Sequence, residues 1–127
     1  MNKYAQVALK ATSLLDTLSP KNAWEVASLE VFPHSKTSRD KGCPKSTFLG
    51  LCEEGLIKGS VIGNYTRSQL NKQYALKALS LLQHNGNLAT DTNTLWHLVV
   101  QEKKSNSQME VVSTLWNSDL IIKANIA

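Results

Sequence analysis

The sequence predicts an all-α domain of about six helices, built as two similar three-helix units. Three observations support this. Apolar residues recur at helical spacing along almost the whole chain. Helix-start signals recur at Ser19-Pro20 and Cys43-Pro44, where a proline in the first turn loses no hydrogen bond. The chain also matches itself: VALKATSLL (7–15) and YALKALSLL (74–82) share seven of nine residues at an offset of 67.

Tyr4, Val7, Ala8, Ala11, Leu14 and Leu15 form one stripe and predict a first helix. Ser19 caps a second, carrying Trp24, Val26, Ala27 and Leu29 inward and ending before Pro33. Cys43 caps a third, with Phe48, Leu51 and Cys52 buried and Gly55 as its C-terminal cap. The stretch SVIGNYT reads as a short strand or an irregular linker. A capping box of Thr66 and Gln69 opens a fourth helix with Leu70, Tyr74, Ala78, Leu81 and Leu82 inward, ending near Asn85-Gly86. Asp91 or Thr92 starts a fifth, burying Leu95, Trp96, Val99 and Val100. Ser105 with Gln108 makes a second capping box for a last helix bearing Met109, Val112, Leu115 and Trp116. The self-match extends to the third helix of each half, where LCEEGLI (51–57) lies over LWNSDLI (115–121) at an offset of 64. Residues 2–58 and 66–123 are therefore expected to be related units sharing one core, since a helical triplet of that size buries little area alone.

At 127 residues, 42% hydrophobic and 19% charged, the composition is that of one globular domain. No apolar run approaches the roughly 18 residues that span a bilayer. The first residues lack an unbroken apolar signal-peptide core, so a cytoplasmic protein without membrane contact is expected. The two cysteines are too few for a disulfide framework and should be free thiols.

The net charge of +4 is uneven. The window from His34 to Lys45 holds Lys36, Arg39, Lys41 and Lys45 against Asp40. Such an excess can attract phosphate, although four cations are few and a solvated loop whose charges serve solubility is the plainer reading. In each half, the second and third helices are joined as in a helix-turn-helix, which reads DNA through the start of its second helix. The candidate contacts are Lys36, Arg39, Lys41, Lys45, Ser46 and Thr47 in the first half, and Lys103, Lys104, Asn106 and Gln108 in the second. Glu53-Glu54 would repel phosphate and otherwise read as surface acids.

A cysteine at a helix N-cap faces unpaired N–H groups that favour thiolate, so Cys43 with His34 as base is the one catalytic pair worth naming. Cys43 and Cys52 are nine residues apart, with no metal-binding spacing, and no phosphate loop or paired carboxylates occur. Neither metal nor cofactor is expected. The leading expectation is a small non-enzymatic binding protein for nucleic acid, with a homodimeric or protein-interaction module as the alternative and a thiol enzyme third.

The blocks KGCPKSTFLGLCEEGLIKG, NKQYALKA and NSQMEVVSTLW resemble a small uncharacterised bacterial family, a domain of unknown function associated with mobile integron gene cassettes. The resemblance covers residues 4–122. It implies no activity or site residue, and suggests an accessory, adaptive role instead of a housekeeping reaction.

Overall fold

The computed structural model describes residues 1–126. Among these, six α-helices of two turns or more form the fold: α1 Lys3–Ser13, α2 Pro20–Val31, α4 Gly42–Glu53, α5 Gln69–His84, α6 Thr92–Val99 and α7 Gln108–Asn117. A single turn, α3 Lys36–Arg39, precedes α4, and 3₁₀ turns occur at Gly86–Thr90 and Lys123–Asn125. There is no strand among the described residues, so the segment around Val61 is an irregular linker.

Local signals explain several boundaries. Ser19 accepts the Asn22 N–H at the start of α2, and Asp91 accepts the Thr94 N–H at the start of α6. Other starts differ from expectation. Lys41, not Cys43, occupies the cap of α4, so Pro44 is the third helical residue. Ser68 caps α5 in place of Thr66, by accepting the Asn71 N–H. The expected box of Ser105 and Gln108 does not form. Ser107 precedes α7 with φ of 66°, and the Gln108 side chain turns back to accept the Asn106 N–H.

The core runs through α1, α2, α4, α5, α6 and α7, with Trp24, Phe48, Leu51, Leu79, Leu95, Met109 and Leu115 buried. Trp24 packs on Phe48 with ring centroids 5.2 Å apart, and Trp96 meets Tyr74 edge-on at 5.4 Å. Val26, Leu29 and Leu70 are exposed, contrary to the expected stripes. The inward face of α2 is Pro20, Ala23, Trp24, Ala27 and Ser28, and its small side chains let α1 lie close.

α4 and α7 end identically, 64 positions apart. The Leu56 N–H donates to the Leu51 carbonyl (3.1 Å) and the Gly55 N–H to that of Cys52 (3.0 Å). At α7, Leu120 donates to Leu115 (3.0 Å) and Asp119 to Trp116 (3.1 Å). Both are Schellman caps, with Gly55 (φ 64°) and Asp119 (φ 58°) in the left-handed position. The chains leaving them then pair: Ile57 and Ile121 form one antiparallel bridge, with Lys58 N–H to Leu120 O at 2.9 Å and Ile122 N–H to Leu56 O at 2.7 Å. Adding 64 to Lys58 gives Ile122 and subtracting 64 from Leu120 gives Leu56, so exchanging the two segments turns one bond into the other and the bridge is locally two-fold. The helices around it follow the same relation: α5 packs on α4, α1 on α7, and α4 on α7. Ala8 and Ala11 are buried in α1, as are Ala75 and Ala78, 67 positions later, in α5.

Candidate functional site

The basic groove is assembled from helix starts. Lys21 lies in the first turn of α2, Gly42, Lys45 and Ser46 lie in the first two turns of α4, and Thr66 and Arg67 immediately precede the cap of α5. Together with Asp40, Leu49 and Tyr65 they line a cavity of 370 Å³. The N-terminal end of a helix carries unpaired N–H groups and partial positive charge. No side chain caps α4, and the amides of Gly42 and Cys43 find no acceptor among the described residues. Among the described residues Lys21, Lys45 and Arg67 make no ion pair, whereas Lys36 is bonded to Asp40. That hydrogen bond, reinforced by the charges of Lys36, Arg39 and Lys45, holds the Asp40 carboxyl below its ordinary range. A second cavity of 310 Å³, lined by Trp24, Ser28, Leu29 and Arg39 among others, adjoins the first through Asp40 and Lys45.

The sequence candidates separate. Lys45 and Ser46 line the groove. Arg39 is turned toward α2, its Nη1 donating to the Phe32 carbonyl at 2.7 Å. Lys41 stands over the Tyr4 ring at 5.6 Å, at the start of α1. Thr47 is buried, and its hydroxyl donates to the Cys43 carbonyl at 2.8 Å. From Thr47 to Glu53 every residue of α4 is buried, so this helix has no free face to lay in a DNA groove. The second set fares likewise. Gln108 is buried, with its Nε2 donating to Asn71 Oδ1 at 3.2 Å. Asn106 is tied to Gln108. Lys103 bonds the Tyr74 hydroxyl at 3.2 Å, and its carbonyl accepts from Trp96 Nε1. Lys104 is exposed, and none of these four lines the basic groove. Lys21 and Arg67 are the groove cations that sequence reasoning missed; their position at helix starts was the available signal.

Cys43 is half-buried and His34 exposed, with no hydrogen bond between them among the described residues. Among the described residues the Cys43 thiol makes no hydrogen bond. Cys52 lies in the core, and burial pushes its thiol far above the ordinary range, which leaves it inert at neutral pH. Among the described residues no group of three His, Cys, Asp or Glu side chains could hold a metal ion, and no helix is long and apolar enough to cross a membrane.

Glu53 departs furthest from its sequence reading. It is buried, not a surface acid: its Oε1 accepts the N–H groups of Tyr65 and Thr66 at 2.8 Å each, and its Oε2 meets Lys72 Nζ at 2.8 Å. Burial alone would raise its carboxyl pKa, but Lys72 and the two amides outweigh that and hold it below the ordinary value. Lys72 also pairs with Glu54 at 2.8 Å. The clamp ties Tyr65 and Thr66, which line the groove beside Arg67, to Glu53 at the end of α4.

No curated protein and no solved structure matches the chain significantly. Its sequence matches a family of unknown function, DUF6979, over residues 1–122, and the chain belongs to that family.

Proposed function

We propose that this is a small, non-enzymatic binding protein that holds a phosphate-bearing ligand in the groove between the starts of α2, α4 and α5. The observation that carries the reading is the convergence of Lys21, Lys45 and Arg67, none of them ion-paired among the described residues, on a 370 Å³ cavity floored by the uncapped start of α4. Phosphate oxygens would take the Gly42 and Cys43 amides and the three cations. Asp40 limits the site to ligands that can offer it a hydroxyl or amine. A nucleic-acid strand is one source of such phosphates, engaged at this groove instead of by a helix-turn-helix.

Titration of the protein with pyrophosphate at low salt, followed by amide NMR, tests this. Saturable shifts at Gly42 and Cys43 are expected, weakening steeply with added salt. Lys45→Glu with Arg67→Glu should abolish them. No binding at low salt rejects the reading. A short single-stranded oligonucleotide in parallel distinguishes strand from small ester.

A second reading, a protein-interaction or homodimer surface, is favoured by Val61 and Ile62, neighbouring apolar side chains 72% and 74% exposed. Light scattering of wild type and of Val61→Asp/Ile62→Asp tests it, a monomer in both cases refuting self-association. The proposal includes a cytoplasmic setting, supported by two unpaired cysteines, and an accessory role of the kind carried on gene cassettes. It also includes descent of residues 2–58 and 66–123 from one helical triplet, supported by the matched caps and the two-fold bridge.

A further inference from the structure

The basic groove has a counterpart on the other side of the Ile57–Ile121 bridge. Ser46 and Leu49 of α4 correspond, 64 positions on, to Glu110 and Ser113 of α7. These two line a pocket of 150 Å³ with Asn2 and Ala5 at the start of α1, Thr92 at the start of α6, and Asn117. The construction is the same in both places: the third helix of one half, the start of the second helix of that half, and the start of the first helix of the other.

The chemistry is opposite. No lysine, arginine or histidine lines this pocket, and Glu110 is its one charged side chain. The Glu110 carboxylate accepts a hydrogen bond from Thr92 Oγ1 at 3.3 Å and has no ion pair among the described residues. Met1 lies at the pocket but its ammonium makes no ion pair with Glu110. Asn117 uses its Nδ2 on the Ala89 carbonyl at 3.2 Å, which leaves its oxygen as an acceptor.

The second observation is independent of charge. Ser113 is only 3% exposed, and its hydroxyl is the one buried side-chain polar atom left without a partner among the described residues. Buried polar groups are almost always hydrogen-bonded, and an orphan marks a place where something else completes the bond. A carboxylate, an amide oxygen and a serine oxygen around one small space offer acceptors in excess of donors. They suit a compact cation carrying several N–H bonds. A volume of 150 Å³ is that of cavities known to admit a benzene-sized molecule.

We propose that the pocket between α1, α6 and α7 binds a small primary ammonium compound, with Glu110 as counter-ion and the Ser113 hydroxyl as hydrogen-bond partner. This site does not depend on the phosphate reading, and the two can fail separately.

The test is an amide-NMR titration of the full chain with ethylammonium chloride, against potassium chloride and tetramethylammonium chloride at equal ionic strength. Saturable shifts at Glu110, Ser113 and Thr114 with ethylammonium alone are expected. Glu110→Gln should weaken binding about tenfold or more, the loss of one charge-assisted contact. Ser113→Ala should weaken it less, while raising the melting temperature of the unliganded protein because the orphaned hydroxyl is gone. The proposal is overturned by the absence of saturable shifts, by equal response to tetramethylammonium, which has no N–H to donate, or by undiminished binding in Glu110→Gln.

Discussion

α4 and α7 finish on the same Schellman cap and feed the same antiparallel bridge, yet their flanks differ in almost every side chain. Lys45 and Ser46 in the first half correspond to Met109, which is buried, and Glu110 in the second. Gly50 corresponds to Thr114, Glu53 to Asn117, and Gly55 to Asp119. What is shared is carried by main-chain N–H and carbonyl groups, which any residue supplies. What differs is carried by side chains, at the helix starts and on the flanks that meet a different neighbour in each half. One scaffold therefore presents a large basic groove on one side and a small acidic pocket on the other, and substitutions at matched positions separate scaffold from chemistry.

The largest difference is expected at the clamp, which only the first half possesses. Lys72→Met would leave Glu53 buried without its cation, a change that typically destabilises by about 3–5 kcal/mol. At the matched position Asn117 is exposed and donates one hydrogen bond to Ala89, so Asn117→Ala should cost about 0.5–1 kcal/mol. Urea unfolding measures both; similar values would mean that the clamp contributes no more than an ordinary surface bond. The clamp also fixes a pH dependence. Glu53 has a folded pKa below its ordinary 4.5, so its contribution is complete above that value and is lost as pH falls through the folded pKa. Lys72 has a folded pKa above its ordinary 10.5, so its contribution is complete below that value and is lost as pH rises through the folded one. Stability of the wild type should fall at both ends. Glu53→Gln should flatten the acid limb.

The clamp also shows where the sequence stops being legible. Helical periodicity, Ser19, Asp91 and Gly55 announce their roles through neighbours a few residues away, and the structure has them in those roles. The burial of Trp24, Trp96 and Cys52 follows from the same spacing. Glu53 finds its partners 12, 13 and 19 residues on, in a linker and another helix, which no local pattern reports. The inward stripe of α2 keeps Trp24 and Ala27 but differs from expectation at Val26 and Leu29 for a related reason. Val26 and Leu29 are the more apolar residues, but α1 packs against Ala23 and Ala27 because small side chains permit close approach. Thr66 and Ser68 both qualify as caps, and the clamp's hold on Thr66 leaves Ser68 as the cap. Of the groove, Lys45 is readable from a charge window and Ser46 from its place at a helix start; Lys21 and Arg67 join only when three helix starts converge.

The next effect is expected at Gly50. A Cβ there would lie 2.7 Å from Lys72 Cβ and 3.0 Å from its Cα, so α4 and α5 approach each other on the absence of a side chain. Neither contact is with a flexible tip, and the helices must separate. Gly50→Ala should cost about 2 kcal/mol, because overpacking exceeds the helix-propensity gain. Thr114, at the matched place on α7, is half-buried and lines the small pocket beside α1, so a side chain is already accommodated there, and Thr114→Ala should cost no more than about 1 kcal/mol. A neutral Gly50→Ala would mean that the two helices can part freely and that the clamp, not close packing, sets their spacing.

The smallest effects should have opposite signs. Gly55 and Asp119 hold the same left-handed backbone, with φ of 64° and 58°. Glycine adopts that conformation without strain, whereas other residues pay roughly 1 kcal/mol for it. Gly55→Ala should therefore destabilise by about 1 kcal/mol or somewhat more, since its new Cβ would also sit 3.0 Å from Ile62 Cγ1. Asp119→Gly removes the same strain and should stabilise by about 0.5 kcal/mol, the exposed pair with Lys58 at 3.5 Å contributing little against it. Thermal unfolding of the two single variants and the double reads the comparison directly. Changes of opposite sign that sum in the double variant are expected, because the two caps meet only through the bridge that follows them and each φ is a local property. Two losses of equal size would mean instead that Asp119 holds its cap through its side chain, and that the second half reached the same turn by a different physical route.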